Sequence, residues 1–124
     1  MKINPYPKEE DEQMALATYL DTRHFLWCHV PNEGMFKPAY MQKRSRLGVK
    51  KGIPDVLIFD PIYSDEVRGL RYFGMAIELK RQKGGVATLE QGHWLYQLED
   101  KGWKVFLAHG KKEAVDEIEK VYGK

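Results

Sequence analysis

Apolar residues recur along this chain with two different periods, one typical of helices and one typical of strands. The helical period, with apolar residues three or four positions apart, occurs over residues 8–22, 88–102 and 111–122. The second of these segments begins at Thr88, a favourable N-cap, and stops at Gly102, a residue type that commonly ends helices. The pattern therefore predicts three amphipathic helices.

Four short apolar runs have the length and composition of strands, and they cover residues 25–30, 54–59, 72–80 and 103–109. The second and third runs are predicted to form a hairpin across a polar loop. The basic stretch 35–52 has no period and is predicted to be a long loop or a partly ordered arm. The order is α-β-β-β-α-β-α. A helix leading from one strand into the next implies a right-handed crossover, so we expect an α/β fold with a mixed central sheet flanked by helices.

The chain has 124 residues, of which 43% are apolar, and this is enough to bury one core but not two. We therefore expect a single domain over residues 1–124. No apolar run approaches the roughly 20 residues of a membrane span, and the first residues lack the apolar segment of a signal peptide. We expect a cytoplasmic protein with no membrane partner. Cys28, the single cysteine, lies in an apolar run and is predicted to pack in a buried strand.

The net charge is only +2, so the distribution of charge is more informative than its sum. Acidic residues crowd the start of the chain, and basic residues crowd its middle. Cations in such a segment can bind phosphates without reading base sequence, and we expect this role for Lys43, Arg44, Arg46, Lys50, Lys51, Arg81 and Lys83. An ordinary solvated loop is the alternative for most of them.

A possible metal site combines two neighbouring predicted strands. Asp55 opens one strand, and Glu78 and Lys80 end the next, where alternate residues share a face. Mg²⁺ or Mn²⁺ bound by Asp55, Glu78 and the backbone carbonyl of Leu79 would neutralise a phosphodiester and acidify a water molecule. Lys80 would place a positive charge where negative charge grows during hydrolysis.

Each part of this site also has a structural explanation. Glu78 and Lys80 can form an exposed pair on the sheet, and Asp55 can cap a turn after Pro54. The complete arrangement favours the site, because a Pro-Asp pair opens one apolar strand and a Glu-x-Lys triplet ends the next, with glycines and a helix after it.

The chain resembles a known family, the VRR-NUC branch of the PD-(D/E)xK nucleases, over most of its length. The first half contributes Glu12-Gln13, His29, Pro31-Asn32-Glu33, Gly48-Val49 and Gly52-Ile53-Pro54-Asp55. The second half contributes Ile77-Glu78-Leu79-Lys80, the segment from Gly85 to Gln91, Trp94 and Gly102.

The resemblance implies a restriction-endonuclease-like core and a divalent-metal-dependent nuclease of the stand-alone kind, found chiefly in phages and bacteria. It also implies which residues form the active site, namely Glu12, Asp55, Glu78, Lys80 and Gln91, with Glu12 among the metal ligands. Stand-alone members are associated with homodimers and with branched DNA such as four-way (Holliday) junctions, and other members act in DNA repair.

Three of the residues have competing roles. Glu12 can simply favour the dipole of its own helix, and Gln91 is three residues after Thr88, the spacing of a capping box. Asn32 follows a strand and either forms a turn or contacts DNA. For the whole chain, two alternatives to a junction endonuclease stay open: a monomeric nuclease of flaps, nicks or ends, and a catalytically idle nucleic-acid-binding module.

Overall fold

The computed structural model describes residues 5–31, 37–64 and 69–123, which contain four helices and six strands. The helices are α1 (Glu9–Thr22), α2 (Pro38–Arg46), α3 (Leu89–Asp100) and α4 (Lys111–Tyr122). The strands are β1 (Trp27–His29), β2 (Val56–Ile58), β3 (Ile62–Ser64), β4 (Gly69–Tyr72), β5 (Met75–Lys80) and β6 (Lys104–His109). None of the described helices is long and apolar enough to cross a membrane.

Four of the strands form a mixed sheet in the order β1-β2-β5-β6. β1 pairs antiparallel with β2, and β2 pairs antiparallel with β5, with Val56 opposite Ile77. β6 runs parallel to β5, with Lys80 opposite His109. β3 and β4 form a separate antiparallel hairpin between β2 and β5. The mixed sheet and the crossover through α3 confirm the predicted fold class.

The core lies around β5, where every residue is buried. α1 and α4 contact each other and contribute Leu16, Leu20 and Ile118, each with no exposed surface. α3 contacts β5 and β6. Because β5 is central and covered on both faces, its polar residues Glu78 and Lys80 are forced into a buried environment.

The three predicted helices and four predicted strands are confirmed, but two segments differ from the prediction. The basic stretch predicted as a loop contains α2, which begins with Pro38 at its first turn and ends in basic residues that favour the helix dipole. None of the nine residues of α2 is buried, so it has no apolar period. The polar loop predicted between 59 and 72 contains the β3–β4 hairpin.

One smaller prediction, the burial of Cys28, was also wrong. Cys28 is exposed because β1 is an edge strand and turns this side chain outward. The sequence suggests two kinds of surface for a dimer, the sheet edges and the apolar terminal helix, and in the structure Ile118 of that helix is buried and Val121 packs against the core. Tyr122 packs there too, and its hydroxyl donates to the carbonyl of Asp60 at 2.8 Å.

Candidate active site

Asp55 lies immediately before β2, where the two neighbouring strands fix its backbone and its side chain. Its carbonyl oxygen accepts hydrogen bonds from the backbone N–H of Val30 and from Nδ1 of His29, both at 2.8 Å. Its carboxylate Oδ2 accepts from the backbone N–H of Leu79 at 2.7 Å. The residue is 6% exposed, so the carboxylate is held in one orientation against the end of β5.

Glu78 and Lys80 lie two residues apart on β5, so the strand turns both side chains to the same face. Lys80 Nζ lies 3.4 Å from Glu78 Oε2 in an almost completely buried ion pair. Neither oxygen of Glu78 accepts a hydrogen bond from the described residues. Burial, and next the charge of Asp55, raises the pKa of Glu78 from 4.5 to about 8, and the charge of Lys80 partly offsets this rise.

The oxygen atoms at this point fit a hard divalent cation. A buried carboxylate without hydrogen-bond donors is costly unless a cation neutralises it, and Glu78 is such a carboxylate. The N–H of Leu79 faces Asp55, and the C=O of Leu79 points to the same side of the strand, where its oxygen can serve as a third ligand of the cation. The described residues contain no cluster of three or more His, Cys, Asp or Glu side chains suited to a metal, so backbone and water oxygens would complete the shell.

Two clefts meet at Asp55, and their linings differ in charge. The first has a volume of about 530 Å³ and lies between α2, the segment after it and the start of α3. The second, of about 430 Å³, lies between α1 and the strands. The charged side chains of the first cleft, apart from Asp55 and Glu90, are Arg44, Lys50 and Lys51; those of the second are Glu9 and Glu10. Asp55 therefore separates a largely basic groove from an acidic one.

The family model of the VRR-NUC domain matches residues 7–112, which include Asp55, Glu78, Lys80 and the lining of both clefts. The chain belongs to the VRR-NUC domain family. A solved structure described as a VRR-NUC domain protein is 22% identical to it, covers 99% of this chain and 92% of its own, and superposes with a TM-score of 0.78. No curated protein matches. The fold fits the restriction-endonuclease-like class, and membership of the family implies a nuclease that acts on DNA.

The basic cleft of this VRR-NUC domain depends on close contact between the segment after α2 and the start of α3. At Gly52, which has a φ of +85°, an added Cβ would lie 2.7 Å from the backbone carbon of Glu90. Gln91 caps α3, since its Oε1 accepts from the N–H of Thr88 and its own N–H donates to Thr88 Oγ1. Gln91 also lines the cleft beside Asp55, so the two roles considered for it are compatible.

Glu12 does not line either cleft of the VRR-NUC domain. Its Oε1 accepts from the backbone N–H of Lys111, the first residue of α4, and its Oε2 accepts from Gln82 Nε2 at 3.1 Å. α4 begins after Gly110, which has no side chain to cap it, and Glu12 supplies the missing acceptor. Glu9, one turn earlier on α1, lines the acidic cleft instead.

The other predicted DNA contacts are distributed around the two clefts. Lys43 and Arg46 are exposed on α2 but are not part of the cleft lining, and Lys83 is exposed in the turn after β5. Arg81 donates from Nη2 to the carbonyl of Tyr6 at 2.8 Å, so it anchors the segment before α1. Asn32 lies outside the described residues.

Four residues of the acidic cleft were not among the predicted site residues: Glu9, Gln13, Glu10 and His29. One signal was available for the first two. Glu12, Leu16 and Leu20 repeat every four residues and are all buried, which directs Glu12 into the protein and leaves Glu9 and Gln13 together on a neighbouring face. The Gln13 Nε2 is buried and has no hydrogen-bond partner among the described residues, so this cleft has a donor available for a ligand.

Proposed function

We propose that this VRR-NUC domain is an endodeoxyribonuclease that requires Mg²⁺ or Mn²⁺, with Asp55, Glu78 and the carbonyl of Leu79 as the protein ligands of the ion. The observation that carries the proposal is the Glu78 carboxylate, which is 1% exposed and receives no hydrogen bond from the described residues. A second carboxylate, Asp55, lies close enough for its charge to raise the pKa of Glu78. A site of this kind is stabilised when a cation binds.

When bound, the ion would supply a Lewis acid for the phosphate and lower the pKa of a water molecule. The protein residues would orient the other groups. Lys80 lies on the same face as Glu78, so its ammonium would donate to the attacking water or to the scissile phosphate. Leu79 N–H holds the Asp55 carboxylate in place. Gln91, at the mouth of the basic cleft, would contact the substrate or the water through its amide nitrogen.

The basic cleft would bind the phosphate backbone of the DNA next to the cleavage site. Arg44, Lys50 and Lys51 line a groove that ends at Asp55, which places phosphate-binding cations beside the proposed metal ligands. The acidic cleft on the other side of Asp55 would repel a phosphodiester and would instead favour cations and water. The DNA would therefore enter from the side of α2.

We further propose a homodimer that cuts branched DNA such as four-way junctions. A junction is resolved by two symmetric cuts, and one described domain with one pair of metal-ligating carboxylates provides for one cut. A two-fold dimer would place a second centre on the matching strand. For such a dimer, the edge strands β1 and β6 each have one side without a strand partner among the described residues. The apolar side of α4, in contrast, is used in the core.

The experiment that tests the proposed substrate is cleavage of a panel of end-labelled linear, nicked, flap and four-way DNAs. Each is incubated with the purified chain in Mg²⁺, Mn²⁺ or chelator. We expect ion-dependent cutting that is fastest on the four-way junction. Faster cutting of flaps or ends would replace this substrate assignment with a flap or end nuclease, and binding without cutting in either ion would indicate an idle binding module.

A further inference from the structure

The connection between β5 and α3 folds back over the side chain of Lys80. At Gly85 an added Cβ would lie 2.6 Å from Cβ and 3.3 Å from Cγ of Lys80, so the glycine backbone rests directly on the aliphatic stem of this lysine. The Lys80 side chain is 9% exposed. The stem is therefore covered by main chain and has no room for a side chain at position 85.

His109 holds this covering main chain in place from the neighbouring strand. It lies opposite Lys80 in the β5–β6 register, and its Nε2 lies 3.1 Å from the carbonyl oxygen of Gly85. Because a carbonyl can only accept, Nε2 carries the proton in this contact. The next residue, Gly110, donates its N–H to the carbonyl of Lys80 at 2.8 Å. The end of β6 thus contacts both the backbone of Lys80 and the loop over its stem.

We infer that His109 is a positioning residue for Lys80, acting through the carbonyl of Gly85. A lysine stem has four rotatable bonds, and in the described structure the ammonium of Lys80 has one ion-pair partner, Glu78 Oε2, at the rather long distance of 3.4 Å. That contact alone does not restrict the stem. Pressing the Gly85 backbone against Cβ and Cγ removes rotamers and keeps the ammonium beside the metal ligands. This inference rests on the catalytic role proposed for Lys80.

The direct test measures the motion of Lys80 in the metal-free, DNA-free protein, where no activity is needed. Relaxation of the Lys80 ¹³Cε resonance gives a side-chain order parameter. His109→Phe keeps a ring and removes the donor, and we expect it to lower that order parameter toward the value of an exposed lysine such as Lys101. His109→Gln retains a donor and should restore most of the order. An unchanged order parameter in folded His109→Phe would overturn the inference.

Gly85→Ala tests the same contact from its other side, and it carries the test if His109→Phe does not fold. Its φ is not in the left-handed region, so alanine is tolerated by the backbone, but the new methyl must displace the Lys80 stem. We expect a shifted Lys80 ¹³Cε resonance and a changed order parameter. The matched control is His93→Phe, on an exposed histidine of α3 whose ring contacts Gln97, and it should leave Lys80 unaffected. An unchanged Lys80 signal in Gly85→Ala would also overturn the inference.

Cleavage kinetics then separate this inference from the proposed function. In single-turnover cutting, His109→Phe should slow the chemical step by about tenfold without changing the Kd for DNA, since a small misplacement of a catalytic group lowers rate more than binding. Failure of the wild-type chain to cut any DNA would refute the proposed function and leave the order parameter as the decisive measurement. Normal cutting by a His109→Phe variant with a mobile Lys80 would refute a catalytic consequence of the positioning.

Discussion

The carboxylate of Glu78 lies in a site that is almost completely shielded from solvent, since only 1% of the residue is exposed. In the folded chain its pKa is raised from 4.5 to about 8, so the folded state binds a proton more tightly than the unfolded state does. The associated stability is fully present below about pH 4.5 and is lost as the pH rises to about 8. A cation bound at this position would restore the lost stability, which would link the stability of the domain to the ion proposed to bind there.

The first prediction concerns the stability of Glu78→Gln without metal. At pH 8 in chelator, we expect this variant to unfold with a free energy about 2 kcal/mol higher than wild type, because a neutral amide replaces a buried carboxylate that accepts no hydrogen bond from the described residues and has only a long ion pair with Lys80. At pH 4.5 the two proteins should be equally stable. Thermal unfolding at both pH values measures this, with Glu99→Gln, an exposed acid on α3, as the control. A lower stability of Glu78→Gln at pH 8 would contradict the account.

The second prediction separates two acids of α1. Glu12→Ala should lower the free energy of unfolding by about 1 kcal/mol, since it removes the acceptor that caps α4. Glu9→Gln should leave stability nearly unchanged and slow cleavage, because Glu9 lines the acidic cleft beside Asp55. Unfolding curves and nicking rates of both variants are compared. The reverse pattern, a stable but inactive Glu12→Ala, would return Glu12 to the set of metal ligands.

The placement of an individual residue could be predicted from the sequence where it depends on residues nearby along the chain or on a neighbouring predicted strand. Strand alternation, a local rule, places Glu78 and Lys80 on one face, and the antiparallel pairing of β2 with β5, predicted as a hairpin, brings Asp55 beside them. The partners of Glu12 are 70 and 99 residues away along the chain, in Gln82 and Lys111, and no local period can reveal them. The His29 contact with the Asp55 carbonyl likewise depends on the antiparallel pairing of β1 and β2.

Among the secondary-structure elements, the basic segment 35–52 differs most between prediction and structure, because it contains α2. α2 has no buried residue, so the apolar period that reveals other helices is absent from it. The β3–β4 hairpin escaped prediction because its strands are three and four residues long and only one of their residues, Ile62, is buried. Both elements lie outside the four-stranded sheet. The elements that build the core were predicted because burial imposes a period on the sequence.

The third prediction compares basic residues that line the cleft, Lys50 and Lys51, with basic residues of α2 that do not, Lys43 and Arg46. Lys50→Ala combined with Lys51→Ala should weaken DNA binding and reduce the salt slope of the affinity by about 1 to 2, since two phosphate contacts are lost. Lys43→Ala combined with Arg46→Ala removes the same charge from nearby positions outside the cleft lining and should have a smaller effect. Binding is titrated at several salt concentrations with Ca²⁺ replacing Mg²⁺. Equal losses in the two pairs would argue against a specific phosphate path through the cleft.

In the whole molecule, the four-stranded sheet has two edge strands, β1 and β6, and the pair of carboxylates that we propose as ligands of the ion, Asp55 and Glu78, lies at this sheet. The six-residue edge β6 is longer than the three-residue edge β1, so β6 offers the larger set of backbone groups to a second copy. Because the apolar side of α4 is used in the core, the β6 edge is the first candidate for the dimer interface.

The fourth prediction is that a dimer makes paired cuts. Light scattering should give about twice the mass of the chain, and four-way junctions cut by a mixture of wild type and Asp55→Asn should accumulate single nicks, because mixed dimers contain one active centre. Wild type mixed with Glu99→Gln should continue to make paired cuts. A monomeric mass on DNA, with no rise in single nicks, would favour a monomeric nuclease.

The most direct test of the central claim compares wild type with Asp55→Asn on a labelled four-way junction, with Mg²⁺, Mn²⁺ or chelator present. Asparagine keeps the volume of the side chain and can still accept a hydrogen bond from Leu79, but it removes the charge that binds a hard cation. We expect ion-dependent cutting by wild type and a loss of at least about a hundredfold in the variant at an unchanged melting temperature. Undiminished cutting by Asp55→Asn, or cutting by wild type in chelator, would contradict a metal-dependent nuclease centre at Asp55.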